Sequence, residues 1–462
     1  MRPVIRILVA SGLLGVVLSV PAATGCRRGA SEEESRRRIA EAYGRLPGLT
    51  ETPDPKLRAE LARIVEEKGT PELLTRPEMP DGENVAAGLA GLFEPVEIDD
   101  PTPAKILEQS SAIFPERDFR FDPTRLERAI RFRQQYEAER QAARKALYRP
   151  SCNFGVEHVA GFAADFTFVD VVRVCARLEA FLAAESLARD DVNAAIESLG
   201  AMFRLAVCLG AEKQAVPRLE AALLRLEALA VLQAIVSHPE IDRPKITREQ
   251  LGRLSTLVGD QLRAWPPDAD AWIGDRALGM HAYEAVRAGR VVELLTEEEF
   301  KRFAEEETLR DLPGATRRNV NEDELYYLET MRKIIEACAN PYYKRRALFE
   351  SIRQDLHHKR NSTLFPLVAG RLLLVDIEKG HVIQARDRAN CEAWSLGLAA
   401  ALGKERPPYR INPLTGSEYE VRKEDGQVTV SGVFPEELPG VPSVVVPDLA
   451  GDAPSEGGNV KG

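Results

Sequence analysis

Leu187-Ala188-Arg189-Asp190-Asp191-Val192-Asn193-Ala194-Ala195 stands between two long apolar runs, and its reading decides the fold. Asp190 is of the type that accepts from the free amides opening a helix, and the alanines after it let a partner helix approach closely. The stretch is expected to be the tight turn of a helical hairpin. Before it, Phe166, Phe168, Val169, Val172, Cys175, Leu178, Phe181 and Leu182 recur at steps of three and four, with Val171 and Val174 widening the stripe. After it, Ile196, Leu199, Phe203, Ala206 and Val207 make a second helix that stops near Gly210, a residue free to take the left-handed close. A third helix carries Val216, Leu219, Leu223, Leu226, Ala230, Gln233 and Ser237 at seven-residue spacing. Helices this apolar belong at the centre of the fold, so residues 165–237 are its expected core.

Outward toward the N-terminus, Asp122-Pro123 opens one long amphipathic helix predicted over residues 124–148, with Phe114, Phe119 and Phe121 placed to fill its junction with the core. Asp54-Pro55 opens another, through Glu67, and residues 69–103 break structure repeatedly at prolines. Outward toward the C-terminus, Thr247 with Gln250, Thr296 with Glu299 and Asn321 with Glu324 each read as a capping pair at a helix start. Asn340-Pro341 starts a further helix, and a last apolar pair covers residues 366–377 and 382–402, separated by Gly380. At Pro407-Pro408 the pattern changes to alternation: Tyr419 and Val421, then the turn Glu424-Asp425-Gly426, then Val428 and Val430, which is one β-hairpin. From Pro435 onward the composition is that of a disordered tail.

The expected fold class is all-α: stacked antiparallel helical hairpins, α-solenoid-like, with a small C-terminal β-hairpin. The segments are a signal peptide (1–25), an N-terminal helical segment with Pro-rich linkers (26–150), a helical-hairpin core (151–405), the β-hairpin (406–434) and the tail (435–462). The hairpin of residues 178–209 resembles a tetratricopeptide unit in its length and in the small residues around its acidic turn, without that repeat's aromatic positions or a second copy at a fixed period. Asn412-Pro413-Leu414-Thr415-Gly416-Ser417-Glu418-Tyr419 resembles the Asp-Pro-x-x-Gly-x-x-Tyr hairpin of exported bacterial proteins, among them secretion pseudopilins and helical proteins laid out like residues 165–402. That resemblance implies the hairpin and not a role in a pilus.

An address is written at the N-terminus: Arg2 and Arg6, an apolar run over residues 7–20, then Pro21-Ala22-Ala23-Thr24-Gly25-Cys26. The order and length are those of an export signal and fall short of a membrane span. Ala23-Thr24-Gly25-Cys26 resembles the lipobox of bacterial lipoproteins, with Ala23 where leucine is commonest, which implies lipidation at Cys26. The plainer alternative is ordinary signal cleavage with an incidental thiol. Removing residues 1–25 takes Arg2 and Arg6 and no acid, moving the formal charge from -10 to -12. Such a surface repels phosphate backbones, so nucleic acid is excluded as a partner class, and the expected attachments are the membrane, through lipid on Cys26, and another envelope protein. Five further cysteines, Cys152, Cys175, Cys208, Cys338 and Cys391, leave room for a bridge without assigning one.

The sequence holds no His-Glu-x-x-His helix, phosphate loop, dinucleotide glycine fingerprint or Gly-x-Ser-x-Gly elbow, and it assigns no catalytic residue, metal or cofactor. Three weaker clusters stand out. Cys152 with Glu157 and His158 sets a thiol near a base, which is also what an ordinary inter-helix turn looks like. Trp265, Asp268, Asp270, Trp272 and Asp275 combine rings with acids, as carboxylate-pair hydrolases do and as a capped, packed helix does. Asp355, His357 and His358 have metal-ligand chemistry, but adjacent residues point to different helix faces, as at a solvated helix end. The expected role is a non-catalytic, lipid-anchored scaffold or protein-interaction module of the cell envelope, and the competing class is an envelope hydrolase using paired carboxylates.

Overall fold

A computed structural model describes residues 54–450 except 96, 98–99, 116–118, 237–245, 296–299, 302–303, 305–310 and 433–442. Its helices are α1 (Pro55–Glu66), α2 (Pro71–Leu74), α3 (Val85–Leu89), α4 (Pro103–Ser111), α5 (Pro123–Gln135), α6 (Glu137–Ala146), α7 (Thr167–Ala188), α8 (Val192–Gly210), α9 (Ala215–Val236), α10 (Arg248–Arg263), α11 (Asp268–Arg287), α12 (Leu312–Arg318), α13 (Val320–Ala337), α14 (Tyr342–Lys359) and α15 (Ile377–Ala401). Strands β1 (Glu420–Glu424), β2 (Gln427–Ser431) and β3 (Val444–Pro447) close the chain as an antiparallel sheet in that order. The protein is mostly helical with a small C-terminal sheet.

Local chemistry explains the starts. Asp54 accepts from the amides of Lys56 and Leu57 ahead of α1, Asp122 accepts from Arg125 ahead of α5, and Thr247 and Gln250 bond reciprocally ahead of α10. At the deciding hairpin the duties are split. Asp190 takes the left-handed conformation with φ 58°, and Asp191, one residue on, accepts from Ala194 at 3.0 Å. Other expectations shift. The long helix over 124–148 breaks at Tyr136, whose φ of -114° and ψ of 30° separate α5 from α6. Asn321 and Glu324 lie inside α13 and cap nothing; both grip Arg287 instead. Thr296 and Glu299 lie outside the described residues.

Two apolar cores are built from these elements. The first centres on α7, α8 and α9 and takes in α3 to α6, α10, the C-terminal half of α15 and the sheet. Phe114, Phe119, Phe121, Phe132 and Phe181 meet edge to face at its N-terminal end, the junction read from sequence. The seven-residue stripe of α9 is buried only at its start, at Val216 and Leu219; Leu226 is 37% exposed, and beyond it the buried face runs through Ala228, Leu232 and Ile235. α8 is long and apolar enough to cross a membrane, yet 61% of its apolar window is buried within this core. The second core joins α1, α11, α13, α14 and the N-terminal half of α15 around Trp272, Tyr283, Tyr327 and Met331.

α15 ties the cores together, giving Ile377, Ala385 and Ala389 to the second and Cys391, Trp394 and Leu398 to the first. Gly380 therefore separates nothing. It lies within α15 because a Cβ there would meet the Trp272 ring at 2.5 Å. Residues 366–377 form a single wide turn, Ala369–Leu373, and not a helix of that length. The C-terminal tail is also revised, since Val444–Pro447 pair with β2, with Val446 opposite Val428 and Val444 opposite Val430; residues 433–442 and 451–462 lie outside the described residues. A three-residue valine run among prolines carries enough apolar surface to add a strand once a neighbour offers an edge.

The Asn412–Tyr419 motif has a clear structural job. The Asn412 carboxamide oxygen accepts from Leu414 and Thr415, Gly416 adopts φ 81°, and the buried Tyr419 hydroxyl donates toward the Ala389 carbonyl at 3.2 Å and Glu392 at 3.3 Å. The motif thus fastens the sheet to α15.

Candidate functional site

Each cluster singled out in the sequence has its own partners. The acids at the start of α11 do not face one another as a free pair: Asp268 accepts from Arg345 at 2.7 Å and Asp270 is paired with Arg218 at 3.4 Å. Trp272 is buried, stacked 4.1 Å from the His381 ring, with its indole N–H on Gln384. Trp265 lies under the guanidinium groups of Arg225 and Arg388, and the Asp275 carbonyl accepts from Tyr327. His158 sits 3.3 Å from the Lys213 carbonyl, and burial lowers its basicity, favouring the neutral ring. The Cys152 thiol faces Cys208, and that contact and burial raise its pKa, so it is held as a thiol rather than a thiolate. His357 and His358 are exposed near the end of α14, where Asp355 is bound by Lys359 at 2.6 Å. Among the described residues no group of three or more His, Cys, Asp or Glu side chains is placed to hold a metal. Cys26 lies outside the described residues.

A concavity is built from residues that sequence reading did not single out. A half-open groove of about 440 Å³ lies between α6, α8 and α10, lined by Arg144, Tyr148, Gly200, Arg204, Arg253 and Leu257, with Leu147, Ile196, Glu197, Ala201 and Thr256 completing it. The spacing is helical throughout: Arg144, Leu147 and Tyr148 continue one face of α6, Ile196, Glu197, Gly200, Ala201 and Arg204 share one face of α8, and Arg253, Thr256 and Leu257 one face of α10. The floor stays low at Gly200, where a Cβ would stand 3.5 Å from Leu257.

Buried ion pairs hold the α6 wall in place. Arg133 of α5 binds Glu185 of α7 at 2.9 Å, Arg140 of α6 binds Glu179 at 2.8 Å, and Arg144 reaches both Glu179 and, at 3.0 Å, the Ser198 hydroxyl. The Arg140 contact also draws Glu137 down to about 2, so Glu137 stays ionised at neutral pH. Arg144 is thereby committed to Glu179. Arg204 and Arg253 are exposed, the first with its guanidinium 5.4 Å from the Tyr148 ring centre and the second donating to Asn193 at 3.0 Å. Tyr148 is 76% exposed and forms the rim. An exposed ring with two exposed guanidiniums and apolar lining residues is the chemistry of a binding surface: it offers large, rigid contact area and charge-directed hydrogen bonds.

No protein-family model, curated protein or solved structure matches the chain. What fold and groove define together is a mostly helical protein with a basic, aromatic-rimmed groove on an otherwise acidic chain.

Proposed function

We propose that this chain is a non-catalytic interaction module of the cell envelope, tethered by lipid on Cys26, whose solenoid-like helical stack presents the α6–α8–α10 groove to an acidic segment of another envelope protein. The groove carries the reading. Its exposed cations, Arg204 and Arg253, outnumber its one carboxylate, Glu197, while the chain as a whole is at -10. Charge complementarity selects an acidic occupant, and Tyr148, Leu257 and Ala201 of the lining supply apolar contact. A space of about 440 Å³ accommodates a few side chains, which suits a short peptide better than a folded surface. Crosslinking in intact cells, followed by recovery of the tagged chain from membranes, tests this. The expected result is a reproducible neighbour whose recovery falls at least tenfold in R204E/R253E; equal recovery with that variant overturns the groove as the binding surface.

A further inference from the structure

We propose that Cys152 and Cys208 form a disulfide that staples the segment after α6 to the C-terminal turn of α8. Of the five cysteines among the described residues, Cys152 and Cys208 lie beside each other, on two segments that the Phe154–Glu212 bond at 3.0 Å brings together. The contact is built from both sides. On one side Asn84 and Asn153 bond reciprocally, amide to backbone, at 2.8 and 2.9 Å, the Asn153 side chain donates to the Pro77 carbonyl, and the Val85 amide donates to the Ser151 carbonyl at 2.8 Å. On the other side Glu212, one turn beyond Cys208, accepts from the Phe154 amide at 3.0 Å and from Arg76, which also donates to the Cys152 carbonyl. Cys152 is flanked before and after by neighbours that bind either α3 or the end of α8, which fixes its backbone beside the last turns of α8. Such positioning gives one thiol a high effective concentration at the other.

The chemistry needs a disulfide donor, such as an oxidised dithiol–disulfide exchange protein or oxidised glutathione. One protein thiolate attacks the donor disulfide, whose S–S bond breaks and releases one donor thiol. The second protein thiolate then displaces the other donor thiol from the mixed disulfide, and the two protein-thiol protons pass to solvent or to the released thiolates. The protein pair is oxidised and the donor is reduced by two electrons. Because burial opposes ionisation of Cys152, the bridge forms most readily as the segment docks during folding and then lies sheltered from reductant. Bridge formation in cells rests on the envelope address proposed above; the capacity to form it in a redox buffer does not.

The test refolds the full chain in glutathione redox buffer, traps residual thiols with iodoacetamide and maps linkages by mass spectrometry. The expected product is a Cys152–Cys208 peptide, with a melting midpoint roughly 2–5 °C above the reduced chain. C152S and C208S each abolish that gain, while C338S, at a cysteine in the second core, keeps it. Linkage of Cys152 or Cys208 to any other cysteine overturns the proposal, as does recovery of both alkylated after complete refolding. The bridge formed in buffer but found reduced in cells supports the pairing and counts against the envelope address.

Discussion

At the scale of single residues, the most consequential contacts join positions far apart in sequence. Arg225 of α9 binds Asp387 of α15 at 2.7 Å, both buried, and Trp265 covers the guanidinium. Removing one partner leaves the other charged and unpaired in the core. D387N is expected to cost about 3–5 kcal/mol in urea unfolding, and R225M/D387L to recover most of it. A loss under about 1 kcal/mol for D387N contradicts the buried pair. Glu324 gives a pH signature: burial, only partly offset by Arg287, raises its carboxyl to about 7. The folded chain then holds a proton that the unfolded chain releases near 4.5, so this site favours the fold below that window and loses its contribution as pH rises toward 7. Between pH 8 and 5, wild-type stability relative to E324Q is expected to rise by roughly 2 kcal/mol, and a flat or opposite difference contradicts it. Such pairings were not legible in the sequence. The Thr247–Gln250 box was, because its partners are three residues apart, whereas Arg225 and Asp387 are 162 apart.

Among elements, local punctuation was readable and tertiary override was not. Asp54-Pro55 and Asp122-Pro123 opened helices where expected because both partners of each cap lie within one turn. The break at Tyr136 has no proline or glycine to announce it. Gly380 misled in the opposite direction, since its cause is the Trp272 ring packed against it rather than a helix end. The difference is measurable. G380A is expected to lower stability by about 1–3 kcal/mol despite alanine's better helix propensity, because the indole is held by its stack on His381 and its bond to Gln384. In contrast, G252A of α10, where a Cβ meets nothing within 4 Å, should gain about 0.5–1 kcal/mol. Thermal unfolding of the two variants decides the matter, and shifts of the same sign contradict this account of Gly380. The third strand was hidden because Val444–Pro447 acquires meaning only beside β2 and Gly397, whose missing side chain leaves room for Val430, Val444 and Val446.

For the whole molecule, the apolar runs announced an all-helical core at 165–237, and that core is where the structure puts it. The groove was invisible because its residues come from three separate faces, at 144–148, 196–204 and 253–257, none of which carries a motif. Its rim residue was read as the last turn of a long helix. The proposed job of the protein now rests on that rim. A photo-reactive phenylalanine analogue placed at Tyr148 in intact cells tests it most directly, with the same probe at Leu364, another strongly exposed side chain, as the control. The account predicts a discrete adduct at position 148 that is absent at 364 and disappears in R204E/R253E. Equal labelling at both positions, or an adduct at 148 that survives the charge reversal, contradicts it.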